Sequence, residues 1–159
     1  MGKYNIKIDD YGTKIYYLNE VFHREDGPAV EYADGTKHWY NNGERHREDG
    51  PAVEWVDGSK FWYKNGDRHR KDGSAFDYTG GTKFWYQKGK YHRDDGPAIE
   101  WANSDKHWYK NGKLHREDGP AAEYIDGSKE WYLNGKPYGY NNDFTNESWV
   151  KFIKTIMFS

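Results

Sequence analysis

Histidine, arginine and aspartate recur together along this chain, and these are its side chains best suited to chemistry. His-Arg occurs at His23-Arg24, His46-Arg47, His69-Arg70, His92-Arg93 and His115-Arg116, 23 residues apart each time. Asp follows each Arg at the second position, as Asp49 follows Arg47. Imidazole and carboxylate at fixed spacing are the groups that hold metals. Arginine among aromatic side chains is a phosphate contact beside a stacking platform.

Geometry limits the metal reading. If each copy is a hairpin, equivalent residues of successive copies lie about 9.6 Å apart, too far to share an ion whose ligand bonds are about 2.0–2.2 Å. A site would have to lie within one copy, as His46 with Asp49, and two ligands without a third make a weak site. The simpler expectation is that His and Asp bond to the loop backbone and set its shape. No metal, no cofactor and no catalytic residue is expected. Ser59, Ser128, Thr36 and Thr82 occupy turn positions of the repeat, and a hydrolase needs a unique nucleophile beside a base. The glycines also sit at turns, with no P-loop arrangement. The stacking reading has its own candidates: Trp39, Trp62, Trp85, Trp108 and Trp131, the adjoining Tyr40, Tyr63, Tyr86 and Tyr109, and Arg47, Arg70 and Arg93. These could bind bases, nucleotides or sugars, and packing between copies would explain the same ladders.

The elements that carry these groups follow from the repeat. Around each His the pattern is H-R-x-D-G-P-A-x-E-x-x-D-G-(S/T)-K-x-W-Y-x-N-G-x-x, and residues 46–68 fit it throughout. Gly12-Thr13-Lys14 aligns with Gly35-Thr36-Lys37, which gives a partial first copy, from about Ile6 to Phe22, and five full ones. Each copy reads as two strands, such as Ala52–Trp55 and Lys60–Tyr63, joined at Asp57-Gly58, where Gly supplies the positive φ of a hairpin turn. Asn65-Gly66 opens the longer connection to the next copy. An antiparallel meander of about 12 strands is predicted. A three-residue bulged turn at Val56-Asp57-Gly58 places Glu54 opposite Lys60 and Ala52 opposite Trp62. Neighbours in a strand point to opposite faces, so the Trp and Tyr ladders should lie on different sides.

Two copies break the pattern. The third has Ser74 for Pro, Asp77 for Glu, Gly80 for Asp and Lys88 for Asn; the fourth has Asn103-Ser104-Asp105 in place of Asp-Gly-Ser and loses the turn glycine. The pattern stops at Tyr138, where a sixth His would fall. Beyond it Thr145 is a helix N-cap, Phe144 and Trp149 have staple spacing, and Trp149, Phe152, Ile153, Ile156 and Met157 form a helical stripe. The expected organisation is a repeat array over 1–138 and a capping helix over 139–159. The fold class is all-β: an elongated antiparallel hairpin meander with a short C-terminal helix covering an open sheet edge, since exposed edges invite aggregation.

Composition agrees with a thin, aromatic-dressed sheet. Among 159 residues, 35% are hydrophobic and 19% are aromatic, so Trp and Tyr supply most of the apolar surface. With 24 basic and 26 acidic residues the net charge is −2, which argues against a dedicated DNA binder and against bulk attraction to anionic membranes. There are no cysteines, so disulfides and thiolate metal sites are excluded. The amino terminus lacks the apolar core of a signal peptide, and no run approaches the about 20 apolar residues of a membrane helix. A cytoplasmic protein without membrane insertion is the expectation.

The Trp62-Tyr63, Asn65-Gly66, His69 and Asp57-Gly58 positions, in a 23-residue unit, resemble the MORN (membrane occupation and recognition nexus) repeat, over about residues 6–138. The H-R-x-D-G-P-A form departs from the usual MORN form, in which Gly follows His, and is similar to variant repeats of bacterial, phage and giant-virus proteins, some of them antitoxin-like. The resemblance implies an extended, single-layered interaction scaffold; the missing Gly weighs against the lipid-binding role sometimes proposed for the family. The function expected is therefore a non-enzymatic protein-binding or scaffold module, with antitoxin, immunity or phage counter-defence as roles the resemblance suggests. The alternatives are a nucleotide or oligonucleotide binder using the ladders and the His-Arg loops, and a spacer that forms homo-oligomers through its sheet edge.

Overall fold

The computed structural model describes residues 4–157. The first three residues, where the amino-terminal reading began, and the last two of the expected cap lie outside the described residues. Contacts divide the chain into two compact units, Met1–Thr79 and Gly80–Ser159.

In the first unit the strands Asn5–Ile8, Lys14–Leu18, Val30–Glu31, Lys37–His38, Val53–Glu54, Lys60–Phe61 and Phe76–Asp77 pair antiparallel in that order. In the second, Lys83–Phe84, Ile99–Glu100, Lys106–His107, Ala122–Glu123, Lys129–Leu133 and Lys136–Tyr140 do the same. The predicted meander and its register are present: Glu54 lies opposite Lys60 and Val53 opposite Phe61. The turn is the bulged one, with Gly58 N donating to Trp55 O, Trp55 N to Ser59 O, and Gly58 at φ +89°.

The expectation of two strands per copy is corrected. The aromatic strand breaks at Trp39, Trp62, Trp85 and Trp108, whereas Lys129–Leu133 runs on through Trp131. Trp62 N donates forward to Ala75 O, and its own carbonyl accepts from His69 N. The register brings Ala52 to the level of Trp62, but the strand pairing ends at Val53–Phe61, and Ala52 O accepts instead from Trp39 N. Past the break a second hairpin forms, Tyr63–Lys64 with Asp67–Arg68. Asn65 and Gly66, at φ +49° and +77°, both adopt the left-handed conformation of a type I′ turn. Asn-Gly therefore closes a hairpin of its own, and the described residues hold 22 short strands rather than about 12.

Alternation sorts the side chains. One face carries the charged ladder Lys37, Glu54, Lys60, Asp77. The other carries the core: Val30, Val53 and Phe76 are buried beside His38 and Phe61 in the first unit, and Ile99 and Ala122 beside Phe84 and His107 in the second. Hydroxyls of the turn link successive copies. Thr36 Oγ1 accepts from Val56 N at 3.2 Å, and Ser59 Oγ accepts from Thr79 N at 3.1 Å. Both residues are 1% exposed, which accounts for them as structural groups.

The expected C-terminal helix forms, and the strand Lys136–Tyr140 runs across the boundary expected at 138. The helix α1 spans Asn146–Met157; Thr145 Oγ1 accepts from Ser148 N at 3.1 Å, and Ser148 Oγ accepts from Thr145 N at 2.9 Å. Phe144 meets Trp149 at a ring separation of 5.1 Å. Trp149 and Ile153 are buried with Trp131 and Leu133 of the last repeat strand. Among the described residues, no helix is long and apolar enough to cross a membrane.

Candidate functional site

The loop that follows the second hairpin holds the His-Arg-x-Asp-Gly-Pro signature, and each residue in it has a structural task. In the second copy the Arg47 guanidinium lies 4.1 Å above the Trp39 ring, donates from Nε to Asp49 at 2.9 Å, and donates from Nη1 to Pro51 O at 3.3 Å and to Glu54 at 3.0 Å. A Cβ on Gly50 would stand 2.9 Å from Arg47 Cζ, so glycine is needed there to let the guanidinium in. Arg93 over Trp85 and Arg116 over Trp108 repeat the arrangement at 4.1 and 4.0 Å, and Arg24 does so over Tyr16 at 4.0 Å. Arg70 lies 3.9 Å from the Trp62 ring and bonds to Ser74 O and Asp77. The guanidinium is thus clamped between an indole face and a glycine. Its hydrogen bond to Asp26, Asp49 or Asp95 holds each of those carboxyls below the usual range.

Histidine fixes the neighbouring turn. His92 Nδ1 accepts from Asn111 N at 3.0 Å and His115 Nδ1 from Asn134 N at 3.1 Å; His23 and His46 accept likewise from Asn42 and Asn65. A backbone N–H can point only at a bare ring nitrogen, so the proton sits on Nε2, 3.1 Å from Asp94 in one copy and from Glu117 in the next. His23, His46, His92 and His115 therefore each tie the loop that opens a copy to the Asn-Gly turn that closes the same copy. No group of three His, Cys, Asp or Glu able to hold a metal comes together among the described residues.

Shallow grooves separate successive loops. One, in the second unit, has Trp108 and Tyr109 in its floor and Asp94, Asp95, Glu117 and Asp118 at its rims. Two in the first unit have Trp39 with Tyr40, and Trp62 with Tyr63, in the same role. The rim carboxylates are exposed, Asp49 and Asp95 to 84% of their side chains, whereas Arg47 and Arg93 are exposed to only 23% and 22%. The loop edge thus shows acid to solvent and keeps its arginines beneath. Lys71 is the exception, standing where the other copies have Glu or Asp.

The candidate residues divide accordingly. Trp39, Trp62, Trp85 and Trp108 are half-buried, each with one face under an arginine. Tyr40, Tyr63 and Tyr109 are half-buried and Tyr86 is buried. Tyr40 also meets His38, and Tyr63 meets Phe76, on the core face. Trp131 has no arginine above it; Phe144 and Trp149 cover it instead, and it is 1% exposed. Helix α1 thus stands in for a sixth loop, and Trp149 Nε1 donates to Arg116 O at 3.0 Å.

A third aromatic ladder escaped sequence reasoning. Tyr32, Trp55, Tyr78, Trp101 and Tyr124 follow the Glu of each copy, or Asp77 in the third, and the first four are 39–42% exposed. The signal lies in the sequence: this position mixes Tyr with Trp and is aromatic in all five copies. Compared with known proteins, the chain matches no family model and no curated sequence.

Proposed function

We propose that this chain is a non-enzymatic, protein-binding repeat module of the MORN type, and that its partner docks on the acidic loop edge. The observation that carries the reading is the internal use of the reactive groups. Arginine is spent on Trp, Asp, Glu and the Pro carbonyl, and histidine on a turn amide, so what every copy but the third, with its Lys71, offers to solvent is a pair of carboxylates beside an aromatic-floored groove. Such a surface attracts a basic protein face and repels phosphate, which disfavours the nucleotide reading. A role in immunity, as an antitoxin or in counter-defence, rests on the resemblance alone.

The test neutralises the edge without breaking the loop. Glu48→Gln, Asp94→Asn and Glu117→Gln retain an acceptor for His Nε2, Glu25 lies 3.8 Å from His23 Nε2 and accepts nothing from it, and with Glu25→Gln the set removes four charges. The tagged chain should capture a defined protein from its host, and the quadruple variant should lose it while its unfolding midpoint stays near that of the parent. Equal capture by both, or capture of nucleic acid only, would sink the proposal.

One observation favours a second reading. The terminal strand Asn5–Ile8 leaves Ile6 and Ile8 61% and 62% exposed. Among the described residues this strand is the edge of its sheet, and a sheet edge can pair with another chain, as a self-assembling spacer requires. A strict monomer at high concentration by light scattering rejects it.

A further inference from the structure

Asp-Gly recurs in every copy and Asn-Gly in most, and such pairs are chemically fragile. Glycine has no side chain to shield its amide nitrogen, which can attack the side-chain carbonyl carbon of a preceding Asp or Asn and close a five-membered succinimide. Attack requires a free glycine N–H. For Asp it also requires a protonated carboxyl, because the leaving group is water.

The fold withholds one or other requirement from nearly all of these pairs. At the bulged turn Gly58 N donates to Trp55 O at 2.9 Å while Asp57 accepts from Ser59 N at 2.8 Å, and Asp34-Gly35 and Asp126-Gly127 repeat the arrangement. At the Asn-Gly turns Gly43, Gly66, Gly112 and Gly135 donate to carbonyls of the preceding copy at 2.8–3.0 Å. In the signature loops Asp26, Asp49, Asp95 and Asp118 each accept from the Nε of their own arginine at 2.7–2.9 Å. A guanidinium so placed holds a carboxyl in its anionic form.

Asp72-Gly73, in the third copy, lacks this protection. Arg70 donates to Ser74 O at 3.1 Å and to Asp77 at 3.2 Å, and among the described residues Asp72 takes part in no ion pair and no hydrogen bond. Asp77 supplies the reason. It stands where the other copies have Glu and is one methylene shorter, so the guanidinium reaches toward it and leaves Asp72 behind. Ser74 replaces the Pro of the other loops and lifts the fixed φ at that position. Gly73 lies at φ +136°, whereas Gly27, Gly50, Gly96 and Gly119 are outside the positive-φ region. Lys71, Asp72 and Gly73 are all exposed.

We propose that Asp72-Gly73 is a modification site, the place where this chain undergoes spontaneous aspartate isomerisation. The Gly73 nitrogen bonds to Asp72 Cγ, and the amide proton and the carboxyl hydroxyl leave together as one water. Water from solvent then reopens the ring at either carbonyl. Addition at the Asp72 backbone carbonyl leaves the main chain running through Cβ, an isoaspartate of unchanged mass. The loop gains one methylene in its backbone at the rim of the groove that Lys71 and Asp72 line. The reaction needs no partner and is independent of the protein-binding reading.

Ageing the full chain for several weeks near neutral pH tests the proposal. Peptides are mapped with an endoproteinase that cleaves before Asp and not before isoaspartate, and isoaspartate is counted by enzymatic carboxyl methylation. It should accumulate at Asp72 about tenfold or more faster than at Asp49 or Asp95, and the three rates should converge in urea. The double variant Ser74→Pro/Asp77→Glu, which restores the residues of the other copies, should slow Asp72 toward the rate of Asp49. Arg47→Ala should speed Asp49 and leave Asp95 unchanged. If either variant fails to fold, the site-by-site rates of the parent decide alone. Equal rates at Asp72 and Asp49 in the folded parent, earlier modification at another pair, or a folded double variant that ages at position 72 like the parent overturns the proposal.

Discussion

Replacing Gly50 by alanine tests the clamp at its tightest point. The new Cβ would lie 2.9 Å from Arg47 Cζ, 3.1 Å from Nε and 3.3 Å from Nη2. A free arginine would swing aside at little cost. This one has Trp39 behind it at 4.1 Å and bonds to Asp49, Pro51 O and Glu54, so moving it gives up those contacts together. A cation–π contact contributes about 0.5–2 kcal/mol and a charge-assisted hydrogen bond about 1.5–3 kcal/mol, before solvent compensation at the exposed Asp49. A loss of about 1–3 kcal/mol is expected for Gly50→Ala, read as the shift in urea midpoint by tryptophan fluorescence. The decisive arm is the same change in an Arg47→Ala background. With the guanidinium gone the three atoms nearest the Cβ are removed, and Gly→Ala should then be neutral or stabilising by up to about 1 kcal/mol through the unfolded chain. If Gly50→Ala costs the same in both backgrounds, the glycine is required for a reason other than the clamp.

Other consequences follow from single residues. His38 is 4% exposed with neither ring nitrogen partnered, and burial, helped by the Arg45 charge, depresses its pKa from 6.5 to about 4. Between those values the unfolded chain binds a proton that the folded one refuses, so stability should fall as pH drops from 6.5 toward 4, by on the order of 3 kcal/mol. His38→Phe, which copies Phe61, should raise the denaturation midpoint at neutral pH and flatten its pH dependence; an unchanged slope removes His38 as the cause. Ser104 holds φ +78° where other copies have glycine, so Ser104→Gly should stabilise by about 1 kcal/mol in a thermal melt. Trp149→Ala opens the cluster under α1 and frees Arg116 O, and should cost about 3–5 kcal/mol in urea; a change below about 1 kcal/mol would show that the cap is not needed.

The parts of the fold that repeat locally could be read from the sequence. The 23-residue period led to the meander, the pairing of Glu54 with Lys60 gave the register, Gly58 revealed the bulged turn, and Thr145 with Phe144 and Trp149 marked the cap. Other parts depend on contacts that a linear pattern does not display. Trp62 looks like a strand residue, but its N–H goes to Ala75 in the next copy, and that break lets Asn65-Gly66 close a hairpin of its own. Arg47 reaches back eight positions to Trp39 and forward seven to Glu54, so the signature reads as a loop until the guanidinium is placed between them. The deviant copies illustrate tolerance: Lys88 at φ +49° and Ser104 at φ +78° keep the turns that Asn and Gly form elsewhere.

The recurring arginines are internal clamps and not ligand contacts. The Nε–H resonances of Arg24, Arg47, Arg93 and Arg116 report this directly, since each Nε donates to an Asp at 2.7–2.9 Å and each guanidinium lies over an aromatic ring. In a ¹H–¹⁵N spectrum tuned to the guanidinium region, these four should be dispersed, shifted upfield by the rings and slow to exchange, and added nucleotide should leave them in place. Signals that are collapsed at the free-arginine position, or that move in step with nucleotide concentration, would contradict it.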